Sequence, residues 1–236
     1  SMRGKSELVK QNSANQTSSG LDRDYITQWS YGIDETWTLL VPNTKGGASM
    51  SSVAESDVAM KHADNDFVDI YRQLGQYWGN QPGTSGPVYI GAFVCMLFVL
   101  GLLIVRGPMK WGLLVATVLS IMLSWGRNFM PLTDFFIDYV PMYAKFRTVA
   151  SILVVAEFTM PLLAMLALKR IADEPDFFAN NKKKIYISYA VTAGICVLFA
   201  LMPSVFFPDF VSNAEMRALS QFPQEHLMPL VNNLSE

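Results

Sequence analysis

The chain has 236 residues, of which 51% are hydrophobic and only 16% are charged, and its formal net charge is −2. This slightly acidic balance does not indicate the basic surface that a nucleic-acid partner requires, so we expect no nucleic-acid partner. Polar residues lie toward both ends and apolar residues lie in the middle, a distribution typical of a membrane protein.

The first 87 residues are polar and form a long arm before the first apolar segment. Alternating apolar residues over 37–41 predict a short extended segment, and apolar residues at helical spacing predict an amphipathic helix over 64–78. Proline and glycine over 81–87 mark the boundary with the membrane region. Because a polar arm of this length needs an upstream span to cross a membrane, we expect the chain to be part of a longer protein.

Four apolar segments follow and predict an all-α membrane region over 88–207, with a polar tail over 208–236. A hydrocarbon core of about 30 Å needs about 20 helical residues, and backbone in lipid must satisfy its own hydrogen bonds, so each segment is predicted to be a transmembrane helix. The cysteines, Cys95 and Cys196, lie inside these segments and are interpreted as core residues. The four segments are 88–105, 111–125, which is short for a span, 148–168 and 185–207.

Lysine and arginine residues in the short loops predict the orientation of the chain. The middle loop, between the second and third segments, carries three of them. The first and third loops together carry seven: Arg106, Lys110, Lys169, Arg170, Lys182, Lys183 and Lys184. We therefore expect the first and third loops to face the cytoplasm, and residues 1–87, 126–147 and 208–236 to lie on the outer side of the membrane.

The middle loop is predicted to contain a short helix. Pro131 favours its start and Pro141 its end, and the Leu, Phe and Tyr residues between them give it an apolar face. We expect this helix to lie flat in the outer membrane interface. Asp134 and Asp138 are four residues apart and therefore share one of its faces.

Three cations of the middle loop predict a site for a lipid phosphate. Arg127 precedes the short helix, and Lys145 and Arg147 follow it, so the three are expected to converge above the bilayer beside aromatic residues. Cations bind the phosphate of a lipid, and aromatic side chains line its hydrocarbon chain. Ordinary headgroup contact by flanking residues is the alternative interpretation.

Glu157 is the one charged residue within the third apolar segment. The helical rise places it about 15 Å deep, where a lone carboxylate costs ~2.5 kcal/mol or more unless it is paired, protonated or exposed to water. One hypothesis gives it a functional role in a polar pathway. The alternative is a protonated or hydrogen-bonded packing residue, helped by Ser151 and Thr159.

Two phrases carry a resemblance to a known family. They are YGIDETWTLLVPNTKGG over 31–47, and SWGRN followed by DYVPMYAKFR within 124–147. Together they resemble the YfhO-like bacterial membrane proteins, which are similar to multi-span glycosyltransferases of the GT-C type, and the resemblance covers most of 20–170. It implies a multi-pass protein of the bacterial inner membrane that takes a sugar from a polyprenyl-phosphate carrier on the outer side. The sugar would pass to an acceptor in the cell envelope, which the resemblance leaves unknown.

The resemblance also implies a set of site residues. The catalytic acid of GT-C enzymes usually follows the first span, a region outside this chain, so no catalytic residue is assigned. Glu35, Lys145 and Arg147 are implied as site-lining residues by the matching phrases. Asp22 and Asp24 are weaker candidates for contacts to the sugar or to a metal, although the sequence contains no metal-ligand motif.

A function of a different class is the alternative to a glycosyltransferase. A non-catalytic membrane scaffold, or a transporter of lipids or solutes with Glu157 in its pathway, fits the same apolar segments. No catalytic motif of soluble enzymes occurs in the sequence to separate the two, and no cofactor is identified.

Overall fold

A computed structural model describes residues 21–62, 68–145 and 148–206. Within those ranges the secondary structure is helical, with isolated bridges in place of strands, so the predicted all-α class is confirmed. The α-helices are α1 Arg23–Ile26, α2 Asp57–His62, α3 Val68–Tyr71, α4 Ala92–Ile104, α5 Met109–Ser124, α6 Met130–Tyr139, α7 Val154–Asp173, α8 Phe177–Leu201 and α9 Pro203–Phe206. Short 3₁₀ helices cover Asp34–Leu39, Val53–Glu55, Gly126–Phe129, Tyr143–Lys145 and Val149–Leu153.

Two of the described helices are long and apolar enough to cross a membrane. They are Val149–Asp173, which joins a 3₁₀ turn to α7, and α8. α4 has 13 residues and reaches only about 20 Å at the helical rise. α5 is long enough to cross a membrane only if it is counted together with Gly126–Tyr139, and the two helices are bent by 110° relative to each other. The chain is therefore a membrane protein by composition and helix length, although the predicted count of four spans is not shown.

α4 and α7 form the centre of the helix packing, because they contact each other, α4 also contacts α8, and α7 also contacts α5. A Cβ atom on Gly101 of α4 would lie 2.9 Å from Cγ of Leu163, so the missing side chain lets the two backbones approach closely. The hydroxyls of Thr117 on α5 and Thr159 on α7 are 2.7 Å apart and hydrogen-bonded. One buried cluster joins α4, α7 and α8 through Leu97, Leu100, Ile104, Ala164, Ala167 and Phe177.

The part of the arm over 21–62 and 68–80 covers one end of these helices. The backbone N–H of Tyr31 donates to the carbonyl of Ser124, the last residue of α5, over 2.8 Å. The ring of Trp37 meets the ring of Phe199, near the end of α8, edge to face with centroids 5.1 Å apart. The arm, the middle loop and the end of α8 therefore share one end of the bundle, as the orientation argument requires. The tail over 208–236 lies outside the described residues.

Three local predictions are wrong in detail. Residues 37–41 do not form an extended segment, because Asp34–Leu39 is a 3₁₀ helix. The helix predicted over 64–78 ends at Tyr71 within the described residues, and the chain after it returns in isolated bridges to 46 and 52. The helix of the fourth apolar segment starts at Phe177 rather than at 185 and is kinked at the non-helical Asn181, so Lys182, Lys183 and Lys184 lie on α8 instead of in a loop.

Candidate functional site

The arm and the middle loop form one hydrogen-bonded unit. The indole N–H of Trp125 donates to the hydroxyl of Thr36 over 2.8 Å. The side-chain amide of Asn128 donates to the carbonyl of Tyr31 over 2.7 Å. Both donors come from the turn between α5 and α6, so this turn is fixed by the arm rather than by the membrane helices alone.

Arg127 joins the two parts of this unit. Its backbone N–H donates to the hydroxyl of Ser30 over 2.9 Å. Its guanidinium donates to the carbonyls of Gln28 and Asn80 over 3.3 and 3.1 Å. The side chain remains exposed. The structure therefore gives Arg127 a positioning role in the arm, and its predicted contact with a phosphate stays a prediction.

The short helix predicted from the prolines of the middle loop is confirmed as α6, with Pro131 in its first turn. Its buried face carries Thr133, which donates to the carbonyl of Gly126, and Ile137, which clusters with Ile26 of the arm. Phe135 and Tyr139 on the other side are 54% and 75% exposed. The 110° bend away from α5 turns α6 across the end of the bundle. This geometry fits a helix that lies along the membrane surface.

The two aspartates of α6 bind a residue that the sequence interpretation did not use. Arg23 of the arm pairs with Asp134, and it donates to Asp138 over 2.6 Å. The sequence alone predicted only that these two carboxylates share one face of the helix. Their partner lies 111 and 115 residues away in the chain, so no local pattern indicated it.

A cleft opens where α1 of the arm meets the start of the third apolar segment. Its volume is about 410 Å³, and Tyr25, Gln28, Trp29 and Thr148 line it. This volume falls within the range of about 300–1,000 Å³ that small-molecule sites occupy. Two aromatic rings, one amide and one hydroxyl supply flat apolar faces together with hydrogen-bond donors and acceptors. The cleft is therefore a candidate for a ligand site.

The other two predicted cations, Lys145 and Arg147, are close in sequence to Thr148 of the cleft. Lys145 ends a 3₁₀ helix, is exposed, and makes no ion pair with any described residue. Arg147 is outside the described residues, so its predicted role stays untested, but Thr148 of the cleft follows it directly. Of the three predicted cations, the structure describes Arg127 and Lys145. Lys145 is the one whose side chain remains available to bind a phosphate.

Glu35 lies inside the arm instead of in the cleft wall. Its side chain is only 2% exposed. It accepts hydrogen bonds from the hydroxyl of Tyr77, from the backbone N–H of Gly32 and from that of Asn80. Burial raises the pKa of this carboxyl, although the three hydrogen bonds oppose the shift in part. Glu35 thus ties two distant stretches of the arm together.

Asp22 caps α1, and Asp24 lies in the first turn of that helix. Asp22 is buried, and its carboxylate accepts from the backbone N–H of Asp24 over 2.8 Å as the N-terminal cap of α1. Asp24 is exposed on the same turn. Because α1 carries Tyr25 of the cleft, the cap helps to position that ring. A direct contact of either aspartate with a sugar or a metal stays a prediction.

Glu157 lies on the outer surface of α7, in the first turn of the α-helix. The hydroxyls of Ser151 and Thr159, which were expected to bind Glu157, donate to backbone carbonyls instead. Ser151 donates to the carbonyl of Thr148, and Thr159 donates to that of Val155. These hydroxyls therefore do not bind Glu157, and its interpretation as a protonated packing residue stays untested.

Comparisons with known proteins leave the family open. No family model, curated protein or solved structure matches this chain. Among the described residues, no group of three or more His, Cys, Asp or Glu side chains is placed to hold a metal ion. The functional conclusion therefore rests on the cleft and its surroundings.

Proposed function

We propose that this chain is part of a multi-pass inner-membrane protein that binds a polyprenyl-phosphate-linked sugar at its outer face, as the YfhO-like resemblance implies. The observation that carries the proposal is the cleft of about 410 Å³ at the junction of the arm and the third apolar segment. In this proposal α4 and α5 also cross the membrane with the help of flanking residues, which gives four spans. Sugar transfer is the activity proposed for the whole protein.

The cleft lining suits a sugar. Tyr25 and Trp29 offer apolar ring faces to the carbon face of a pyranose, and Gln28 and Thr148 offer polar atoms to its hydroxyls. Pockets that combine apolar walls with a few polar groups orient small ligands in this way. A monosaccharide is the part of the proposed substrate that we assign to this volume.

The surroundings of the cleft suit the phosphate and the lipid. Lys145 and Arg147 immediately precede Thr148 and are the proposed phosphate ligands. The exposed aromatic residues of α6, Phe135 and Tyr139, provide a surface for the polyprenyl chain at the membrane boundary. In this proposal the sugar occupies the cleft, the phosphate contacts the two cations, and the polyprenyl chain lies along α6.

Removal of both proposed phosphate ligands tests this function. The variant Lys145→Ala with Arg147→Ala is expected to bind an undecaprenyl-phosphate hexose in nanodiscs at least roughly tenfold more weakly, because charged hydrogen bonds contribute about 1.5–3 kcal/mol each. Lys182→Ala with Lys183→Ala removes two exposed cations at the other end of the bundle and is the matched control, with no expected change. Equal affinity of both double variants would contradict the proposal.

A further inference from the structure

The single turn of α1 has one side against α6. Arg23 on this side pairs with Asp134 and donates to Asp138 over 2.6 Å. Ile26, three residues further along, is fully buried in a cluster with Ile137 of α6. Residues three apart on a helix share a face, so the ion pairs and the apolar contact act on the same side of α1.

The same stretch of chain lines the cleft. Tyr25 belongs to α1, and Gln28 and Trp29 follow it after three and four residues. The backbone N–H of Gln28 donates to the carbonyl of Tyr25 over 3.4 Å, and the N–H of Ala150, two residues beyond Thr148, donates to the carbonyl of Trp29 over 3.1 Å. The positions of three of the four residues that line the cleft therefore depend on how α1 lies on α6.

α1 is too short to hold this position by itself. It has four residues, and isolated helices shorter than about 12–15 residues are marginal in water. The hydrogen bond by which Asp22 caps α1 lies within the turn itself. Contacts with other elements must therefore orient the turn, and those with α6 come from both an ion-pair group and a buried apolar side chain.

The guanidinium of Arg23 suits this task because it meets two carboxylates one helical turn apart. Asp134 and Asp138 are separated by four residues, and a planar guanidinium can donate to both along fixed directions. The three side chains are 24%, 40% and 45% exposed, so the ion pairs contribute modestly to stability. Two bonds from one rigid group nevertheless fix the angle between α1 and α6 as well as their separation.

We propose that Arg23 is a positioning residue of the sugar site: by holding α1 against α6, it keeps the cleft in register with the helix that carries the lipid chain. This inference rests on the proposed function, in which the cleft takes the sugar and α6 takes the polyprenyl chain. Arg23 itself makes no contact with the ligand in this proposal. Its loss should therefore weaken binding of the sugar-linked lipid and leave binding of the lipid phosphate alone unchanged.

The test compares an undecaprenyl-phosphate hexose with undecaprenyl phosphate in nanodiscs. Arg23→Met keeps the apolar stem of the side chain and removes its charge, and is expected to lower affinity for the sugar-linked lipid roughly fivefold without changing affinity for undecaprenyl phosphate. Arg72→Met is the matched control with no expected change, because Arg72 pairs over 3.1 Å with Asp69 of the arm instead of with α6. Unchanged binding in Arg23→Met, or an equal loss for both lipids, would overturn the proposal.

Exchange of the charges separates positioning from a general loss of folding. Arg23→Asp brings a third carboxylate to α6 and is expected to weaken binding of the sugar-linked lipid more than Arg23→Met does. Arg23→Asp combined with Asp134→Arg restores the ion pair in the opposite direction and is expected to recover most of the affinity. A double variant that binds no better than Arg23→Asp alone would contradict the role of the ion pair.

A second measurement needs no ligand. The amides of Ile26 and Thr27 donate to the carbonyls of Asp22 and Arg23 over 3.0 Å. Their hydrogen exchange is expected to become roughly fivefold faster in Arg23→Met and to slow again in the charge-exchanged variant. Wild-type protein that binds the two lipids equally would contradict the proposed function and this inference with it. A preference of the wild type for the sugar-linked lipid that persists in Arg23→Met would overturn the inference alone.

Discussion

Glu35→Ala is expected to release the arm from the end of the helix bundle, with a loss of roughly 3 kcal/mol or more of local stability. The substitution leaves the hydroxyl of Tyr77 and the backbone N–H groups of Gly32 and Asn80 without their acceptor. A buried polar group that loses its partner costs about 1–3 kcal/mol. Hydrogen exchange of the amides in 21–80, measured in nanodiscs, reports the opening directly.

Glu35→Gln is the matched control, and pH is the second variable. The amide keeps the size and one acceptor oxygen, so we expect a smaller loss. Because burial raises the pKa of Glu35 in the folded arm, its contribution to stability is fully present below the unfolded pKa and is lost as pH rises through the folded pKa. Arm opening should therefore increase as pH rises above the ordinary range of glutamate, and this dependence should disappear in Glu35→Gln. Unchanged exchange in Glu35→Ala would refute the role of Glu35.

Gly126→Ala is expected to separate α6 and the arm by a loss of roughly 2–5 kcal/mol. Gly126 has a φ of +45°, and a Cβ atom there would lie 2.1 Å from Oγ of Ser30 and 2.7 Å from Cγ2 of Val149. Ser30 is fully buried, and its hydroxyl already accepts from the N–H of Arg127. Left-handed backbone costs a non-glycine residue roughly 1–2 kcal/mol, and overpacking typically adds about 1–3 kcal/mol.

Gly112→Ala provides the control for this substitution. Gly112 lies within α5, and no atom lies within 4 Å of the position of its added Cβ. Alanine there should be neutral or stabilising by up to about 1 kcal/mol. Thermal unfolding in detergent, followed by the fluorescence of the arm tryptophans, compares the two variants. Similar unfolding temperatures for both would contradict the close contact at Gly126.

The membrane helices and α6 could be predicted from the sequence because the patterns that indicate them are local. Runs of apolar residues located α4, α5, α7 and α8, and Pro131 with Pro141 bounded α6. Helix ends were less certain, since α8 continues through three lysines that an apolar criterion excludes. Apolar composition marks what lies in lipid, whereas the helix itself extends as far as its backbone hydrogen bonds do.

The fold of the arm and the position of the cleft could not be predicted from the sequence, because contacts between distant residues define them. Arg23 pairs with aspartates that lie more than a hundred residues along the chain, and no local pattern reveals this. The alternation over 37–41 predicted an extended segment, but the carboxylate of Glu35 and the hydroxyl of Thr38 bind nearby backbone groups and favour a compact turn. The lining of the cleft likewise joins two stretches separated by the whole membrane pair α4 and α5.

Binding of a lipid-linked sugar to the cleft is tested most directly by Trp29→Ala. The measurement is the ratio of affinities for an undecaprenyl-phosphate hexose and for undecaprenyl phosphate without sugar, in nanodiscs. Because Trp29 lines the cleft, we expect its loss to lower affinity for the sugar-linked lipid and leave the affinity for the free phosphate unchanged. Tyr186→Ala, an exposed aromatic residue on α8, should alter neither affinity. An unchanged ratio in Trp29→Ala would contradict a sugar site in the cleft.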